Sequence, residues 1–397
     1  MSRLFLFTVS FPFGFEESFL EPEVPYLAQA FDEVTVVPMW VTDAARLRVV
    51  PANVKVEVPV IRGNTRNDKN GFKAGRALGK YLRDFLSNHV LFSRKRLRAW
   101  ARSFYLTNCL LNSPVIRRVE ASFRPGDLCY FYWGIGSANL APFWKGKVKM
   151  VTRFHATSDL WEEKWGNYTP LRRQVAAAID KAVFISDAGR DYFAARYPGC
   201  EMLVSRLGSV DHGESSRSTD GVLRVVSCSH VIPVKRVALI LEALERASRQ
   251  VRIAWTHIGT GKDLDAIRKR AEALRSDRFE AVFTGQMAHE AVFEYYKTHP
   301  VDLFINMSSS EGIPVSVIEA ISFDIPCIAT DVGATREVVT AETGMLVPGN
   351  CNAEEAARAV LSVADGHFSP RRFWMENYDS DRNDRRFAAF LKTLVAS

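Results

Sequence analysis

Short apolar or β-branched runs alternate with stretches of helical period along most of this chain. The runs fall at 4–10, 33–39, 127–133, 148–153, 182–186 and 202–206, and again at 223–229, 252–258, 281–284, 301–307, 327–330 and 344–347. Runs of this length, separated by helices, predict strands buried on both faces of parallel sheets. The intervening helices carry the stripe that such a sheet needs. Val237, Ile240, Leu241 and Leu244 recur at helical spacing, as do Leu264, Ile267, Ala271 and Leu274. Between the two series lies 211–221, eleven residues with no apolar member, which predicts an interdomain linker. At 397 residues the chain also exceeds the size at which one core stops growing. The expectation is an α/β protein of two doubly wound domains, 1–210 and 211–370, with 371–397 a C-terminal helical segment returning to the first domain.

Composition narrows the class. With 47 % hydrophobic and 24 % charged residues the chain reads as globular, and no run of about 18 apolar residues is present to span a bilayer. Residues 1–10 superficially resemble a signal peptide, but the apolar stretch is short and no small-residue cleavage site follows, so a first buried strand is the better reading. The six cysteines (Cys109, Cys129, Cys200, Cys228, Cys327 and Cys351) show no CxxC, and several sit within apolar strands. Reduced thiols behave there as small hydrophobes, which favours a reducing cytoplasm.

The net charge of +7 is unevenly placed: residues 46–118 hold seventeen Lys or Arg against Glu57, Asp68 and Asp84. Within this segment Leu78, Tyr81, Leu82 and Phe85 form one helical stripe, with Lys73, Arg76, Lys80 and Arg83 on another face. Leu97, Trp100, Ala101 and Phe104 form a second stripe, with Arg94, Arg98 and Arg102 at four-residue steps. Basic amphipathic helices suit an anionic membrane surface, where each cation contributes about 1 kcal/mol. The same pattern also fits stripes packed on a sheet beneath a solvated basic face. No nucleic-acid-binding motif accompanies the charge, so nucleic acid is not the expected partner.

Glu311 and Glu319 stand with seven residues between them across a strand-to-helix junction. Upstream, 301–307 reads as a buried strand. Downstream, Pro314 sits where proline is tolerated in a first helical turn, which leaves Gly312 and Ile313 at the junction. Unpaired amides and the positive end of a helix dipole make such a junction a site for an anion, a diphosphate for example. The two carboxylates flank it, and carboxylates accept from paired hydroxyls, so one can grip a hexose and the other a ribose. This arrangement points to a nucleotide sugar.

The runs 225–237, 255–261, 311–319 and 331–334, in this order and spacing, resemble the donor half of the group 1 (family 4) retaining glycosyltransferases. The resemblance extends over roughly residues 148–350, and the amino-terminal third is similar mainly in layout. It implies a GT-B fold, two Rossmann-like domains facing a cleft, with Glu311 near the transferred sugar and Glu319 on the ribose. It also implies that Lys235 neutralises the donor diphosphate, and that His155 projects toward the donor sugar. Read alone, Lys235 is a solvated surface lysine and His155 a structural histidine at a strand end. Asp159 is expected to orient its loop or contact the acceptor. Where the family often has an arginine five residues before Lys235, this chain has His230, with Arg236 placed to compensate. Of a glycine pair after the first strand only Gly14 remains, in the loop 10–18, and Glu16 or Glu17 is expected to contact acceptor hydroxyls. Asp324 stands where a glycine usually closes the helix of Glu319, and Ala334 replaces the second glycine of a pair near the donor.

Other signals are weaker. Gly259-Thr260-Gly261 lacks the third glycine of a dinucleotide loop. Asp263 and Asp265, and likewise Asp379 and Asp381, are formally DxD pairs but read as acids at helix starts. No His or Cys cluster has metal spacing, so the expected reaction needs no metal and no cofactor. The reading is retaining hexosyl transfer from a UDP- or GDP-sugar to a glycan or lipid-linked acceptor, in cell-surface polysaccharide synthesis at the cytoplasmic membrane face. The alternatives are a nucleotide-sugar epimerase of the same fold and a non-catalytic nucleotide-sugar sensor.

Overall fold

The computed structural model describes residues 1–14, 16–17, 19–41, 47–63, 75–155 and 159–396. Phe15 and Ser18 of the first loop, Arg46, Asp68 and Lys73 of the basic segment, and residues 156–158 lie outside the described residues. The chain divides into two units, 1–207 with 381–397, and 208–380.

In the first unit the elements are β1 (Arg3–Thr8), α1 (Leu20–Ala30), β2 (Glu33–Pro38), β3 (Trp40–Val41), β4 (Val54–Val56), β5 (Ile61–Arg62), α2 (Leu78–Ser87), α3 (Arg94–Asn112), α4 (Pro114–Ala121), β6 (Leu128–Phe131), α5 (Ala141–Trp144), β7 (Lys149–Phe154), α6 (Arg172–Ala176), β8 (Lys181–Phe184), α7 (Asp187–Arg196) and β9 (Met202–Val204). Seven of the strands form one parallel sheet in the order β4-β2-β1-β6-β7-β8-β9. Strand residues alternate between its faces. Phe5, Phe7, Cys129 and Phe131 join a core with Ile116, Leu140 and Trp144, while Leu4, Leu6, Leu128 and Tyr130 join a second with Leu20, Val24, Phe387 and Leu391.

The second unit contains β10 (Val222–Cys228), α8 (Val237–Ala247), β11 (Arg252–Ile258), α9 (Leu264–Ala273), β12 (Phe279–Gly285), α10 (His289–Thr298), β13 (Leu303–Asn306), α11 (Val315–Ser322), β14 (Cys327–Asp331), β15 (Gly344–Pro348), α12 (Ala353–Ala364) and α13 (Pro370–Asn377). Its parallel sheet runs β12-β11-β10-β13-β14-β15. The stripe Ile240, Leu241 and Leu244 is buried against Val225, Ile253, Leu303 and Ile305. The chain then enters α14 (Ser380–Ala396), which covers one face of the first unit's sheet through Phe387, Ala388 and Leu391.

All twelve expected strands are present; β3, β4 and β5, of two or three residues each, were too short to show a period. The expected linker is different. Residues 211–221 lie within the second unit, bound to it by hydrogen bonds: Ser218 N donates to Asp302 Oδ1 (2.8 Å) and Val301 N to the Ser216 carbonyl (2.9 Å). Arg371 also pairs with Asp211 at 2.7 Å. A polar stretch need not be a free tether when the surface below supplies partners. The segment 371–397 likewise divides, α13 staying with the second unit and α14 joining the first.

The α2 stripe splits as well. Tyr81 is buried and Phe85 half-buried against the rings of Trp100 and Phe104, whereas Leu78 and Leu82 remain exposed. Tyr81 also places its hydroxyl between Ser103 Oγ (2.6 Å) and Thr107 Oγ1 (2.7 Å).

Candidate active site

Strand order decides where this site forms. In the second unit β10 and β13 are neighbours, and from them the chain winds outward in opposite directions, which leaves a crevice at their carboxyl ends. Two loops meet there. The loop after β10 holds His230, Lys235 and Arg236, and the loop after β13 holds Glu311, Gly312, Ile313 and Pro314.

Lys235 Nζ donates to Glu311 Oε1 at 2.6 Å. The Asn306 amide, at the end of β13, reaches the same oxygen at 3.4 Å and also receives Ser308 Oγ (2.7 Å) on its own oxygen. Asn306 was not singled out from the sequence, although a polar residue ending an apolar strand was the available sign. Ser309 N bonds the Val234 carbonyl at 2.8 Å, which joins the two loops directly. Pro314 is the N-cap of α11 with no side-chain cap bond, one place earlier than the first-turn position expected. The amides at this helix start therefore receive no acceptor from a capping side chain, which suits an anion site.

Glu319, in the second turn of α11, is buried, and its Oε1 lies 2.6 Å from His289 Nε2 at the start of α10. Nothing in the sequence pattern links His289 to Glu319, since the pairing depends on how α10 and α11 cross. Cys228, at the end of β10, feels the charges of both Glu319 and Lys235. Burial, then the charge of Glu319, pushes its thiol up to about 12, with Lys235 opposing.

Arg236 does not face the crevice freely. Its guanidinium donates to the carbonyls of Met307 and, at 3.1 Å, Ser308, so it braces the end of β13 rather than replacing an absent arginine at His230. His230 is exposed.

Gly333 is required here: its φ is +58°, and a Cβ would stand 1.9 Å from the Glu311 carbonyl oxygen. Ala334 adopts φ −99°, open to any residue, and its amide donates to the Gly312 carbonyl at 3.0 Å. Replacing the second glycine therefore costs no backbone freedom. Asp324 does take the left-handed conformation, φ +61°, and its Oδ1 accepts the Arg371 amide at 3.0 Å. Gly259 and Gly261 make close packing between strand-end loops, where a Cβ would meet the Ser229 and Val231 carbonyls at 1.9 and 2.4 Å.

The first unit has its own switch point, between β1 and β6. Glu17, in the loop after β1, is buried and receives the amides of Val9 (2.9 Å), Ser10 (2.7 Å) and Phe11 (2.7 Å) and the Trp133 indole (2.6 Å). It clamps the loop instead of facing an acceptor. Glu16 is exposed, and Gly14 holds φ +68°.

His155 follows β7, packed against the rings of Trp133 (4.2 Å) and Tyr132 (4.9 Å). Its Nδ1 lies 3.3 Å from Asp159 Oδ2, and Nε2 is buried without a hydrogen-bond partner among the described residues. Asp159 accepts the amides of Gly134 and His155, each at 3.0 Å. Burial opposes its ionisation, but His155 and the two amides together hold its carboxyl below the usual carboxylate range. Asp159 is thereby the orienting partner of His155 rather than an acceptor contact. Asp265 and Asp381 sit in the first turns of α9 and α14. Among the described residues, no set of three His, Cys, Asp or Glu side chains is placed to hold a metal ion.

The fold defines the class first. The chain is similar over 99 % of its length to all of the lipopolysaccharide outer core galactosyltransferase WaaB (TM-score 0.68, 15 % identity). It is similar over 99 % of its length to all of Anabaena HepE in complex with UDP (TM-score 0.64, 14 % identity). This is the GT-B fold. Residues 213–378, nearly all of the second unit, match the glycosyl transferases group 1 family. Among curated proteins it is similar to the putative colanic acid biosynthesis glycosyltransferase WcaL of Escherichia coli K12, 26 % identical over 261 residues. That match takes in 61 % of this chain and about three-fifths, 62 %, of WcaL.

Proposed function

We propose that the chain transfers a hexose from a nucleoside diphosphate sugar to a hydroxyl of a glycan or lipid-linked acceptor, with retention of configuration. The observation behind this reading is the convergence of Lys235, Glu311 and the uncapped start of α11 at the switch point of the second unit. A diphosphate placed there meets one cation and several unshared amides. Lys235, released from Glu311, would balance the charge that develops on the leaving diphosphate, and Glu311 would then be free to accept from sugar hydroxyls. Glu319 takes the ribose in this scheme.

The carbon–oxygen bond to the diphosphate breaks first; the acceptor oxygen then bonds to the same carbon on the same face, and its proton passes to the departing diphosphate oxygen. The cation assigned to the leaving group is Lys235, so no metal enters the scheme. HepE, whose structures hold UDP and UDP with glucose, supports a uridine donor. The likeness to WcaL, named for colanic acid biosynthesis, supports an acceptor in polysaccharide synthesis. Among the described residues no helix is long and apolar enough to cross a membrane.

Thermal-shift screening against UDP, GDP and ADP sugars tests the reading, followed by nucleotide release with and without acceptor. A shift with one donor, and release that depends on acceptor, is expected. Product formed from donor alone would mark an epimerase, and binding without turnover a sensor; either result replaces this proposal.

A further inference from the structure

The turn from α2 into α3 keeps six large apolar side chains in solvent within twenty residues. Leu78, Leu82, Leu86, Leu91, Phe92 and Leu97 are all exposed, Leu86 at 65 % and Phe92 at 85 %. Single exposed leucines are ordinary, but six along one short stretch need a cause. Helical geometry groups them. With Tyr81 and Phe85 turned toward Trp100 and Phe104, steps of 100° per residue put Leu78, Leu82 and Leu86 along the flank of α2, bordered outward by Arg83. On α3 the same steps put Leu97 and Ala101 along the flank, bordered by Arg94, Arg98 and Arg102.

The charge on this face is one-sided. Between Arg76 and Asn112 the one acid is Asp84, which is buried and receives the Tyr168 hydroxyl and, at 3.1 Å, the Leu171 amide. Arg83, Arg94, Lys95, Arg98 and Arg102 are exposed, and among the described residues none of them has an ion-pair partner. Neighbouring cations do find partners, Arg76 with Glu120 and Arg118 with Glu57, each at 2.8 Å. Unpaired cations beside bare leucines are complementary to a surface that is anionic outside and apolar beneath.

We infer that this face docks on an anionic lipid surface, with Leu86, Leu91 and Phe92 entering the headgroup–acyl boundary and the five cations meeting lipid phosphates. A second copy of the chain would bring like charge against like, and a nucleic acid would leave the leucines in water. The docking does not depend on the donor chemistry proposed above. It would hold the first unit on the membrane that carries a lipid-linked acceptor.

Flotation of the full chain with phosphatidylcholine vesicles, with and without phosphatidylglycerol, is the test. Binding that needs phosphatidylglycerol and weakens with salt is expected. Phe92→Ser should weaken it about tenfold, and replacing Arg94, Arg98 and Arg102 by Ala about fivefold per lost cation. All these side chains are exposed, and donor thermal shift in each variant reports that the fold and the second unit's site survive. Equal binding to neutral vesicles, no binding to either, or unchanged binding by both variants would overturn the inference. So would self-association in lipid-free solution that Phe92→Ser abolishes while vesicle binding persists, or salt-sensitive binding to DNA but not to lipid. Vesicle binding without any donor shift would instead sink the proposed function and leave the docking face intact.

Discussion

Lys235 and Glu311 are 76 positions apart in the chain, yet Nζ and Oε1 lie 2.6 Å from each other. Strand order produces this contact, because β10 and β13 are neighbours in the sheet while α8 through α10 occupy the chain between them. In the proposed function the carboxylate holds the place that a donor phosphate would take on Lys235. Lys235→Ala should therefore lower kcat/KM for donor by about a hundredfold or more, with the fold retained by circular dichroism. Lys235→Arg should recover part of that loss. Unchanged nucleotide release by the alanine variant would remove Lys235 from the site.

Gly333 supports Glu311 from behind. Gly333→Ala forces a left-handed backbone on a Cβ and drives it into the Glu311 carbonyl, so unfolding free energy should fall by about 2 kcal/mol and donor affinity should fall with it. Ala334→Gly, at an ordinary φ, should cost about 1 kcal/mol through lost methyl burial and chain entropy, with donor affinity kept. Urea midpoints together with donor titration separate the two effects; equal donor affinity in Gly333→Ala would mean that the carbonyl position does not matter.

Glu17 and Glu16 are adjacent and should behave oppositely. Glu17→Ala leaves three amides, two of them buried, and the Trp133 indole without their acceptor, a loss of about 3 kcal/mol or more. Glu16→Ala should stay within about 0.5 kcal/mol of the native chain. Comparable denaturation midpoints for the two variants would contradict the clamp.

His257 is fully buried, with Nδ1 2.8 Å from Ser227 Oγ, and burial lowers its pKa to about 4. An unfolded histidine titrates near 6.5, so between these values the unfolded chain binds a proton that the native chain refuses. The native advantage is whole above about 6.5 and is lost as pH falls toward 4, a change on the order of 3 kcal/mol. His257→Gln should flatten this part of the stability profile, measured by urea unfolding from pH 7.5 to 5; an unchanged slope would place its origin elsewhere.

The two sheets were legible because fully buried parallel strands leave unmistakable apolar runs, and β13 with Glu311 after it is one of them. The family resemblance implies one site for Lys235 and Glu311, but their direct contact is a finding of the structure. What the sequence hid was the use of polar groups within the fold. Glu17 looked like a loop acid available to ligand, yet its carboxylate holds the loop's own amides. Arg236 looked like a second cation for phosphate, yet it supports two carbonyls. His289 beside Glu319 depends on packing between helices, which no local period encodes. Leu78 and Leu82 fitted a core stripe as well as Tyr81 did, and only the position of α3 decides which of them is covered.

The return of α14 to the first unit bears on the order in which the protein can be completed during synthesis. Residues 208–380 are contiguous and can close as soon as they leave the ribosome, whereas the unit that began first must wait. Until Phe387 and Leu391 arrive, Tyr130 and the buried pair of Arg153 with Glu23 (2.5 Å) lack their cover, for the Phe387 ring lies 4.2 Å from the Arg153 guanidinium. A nascent chain stalled before residue 381 would thus present a finished second unit beside an open first one, and the open sheet face is where a chaperone or a protease would find it.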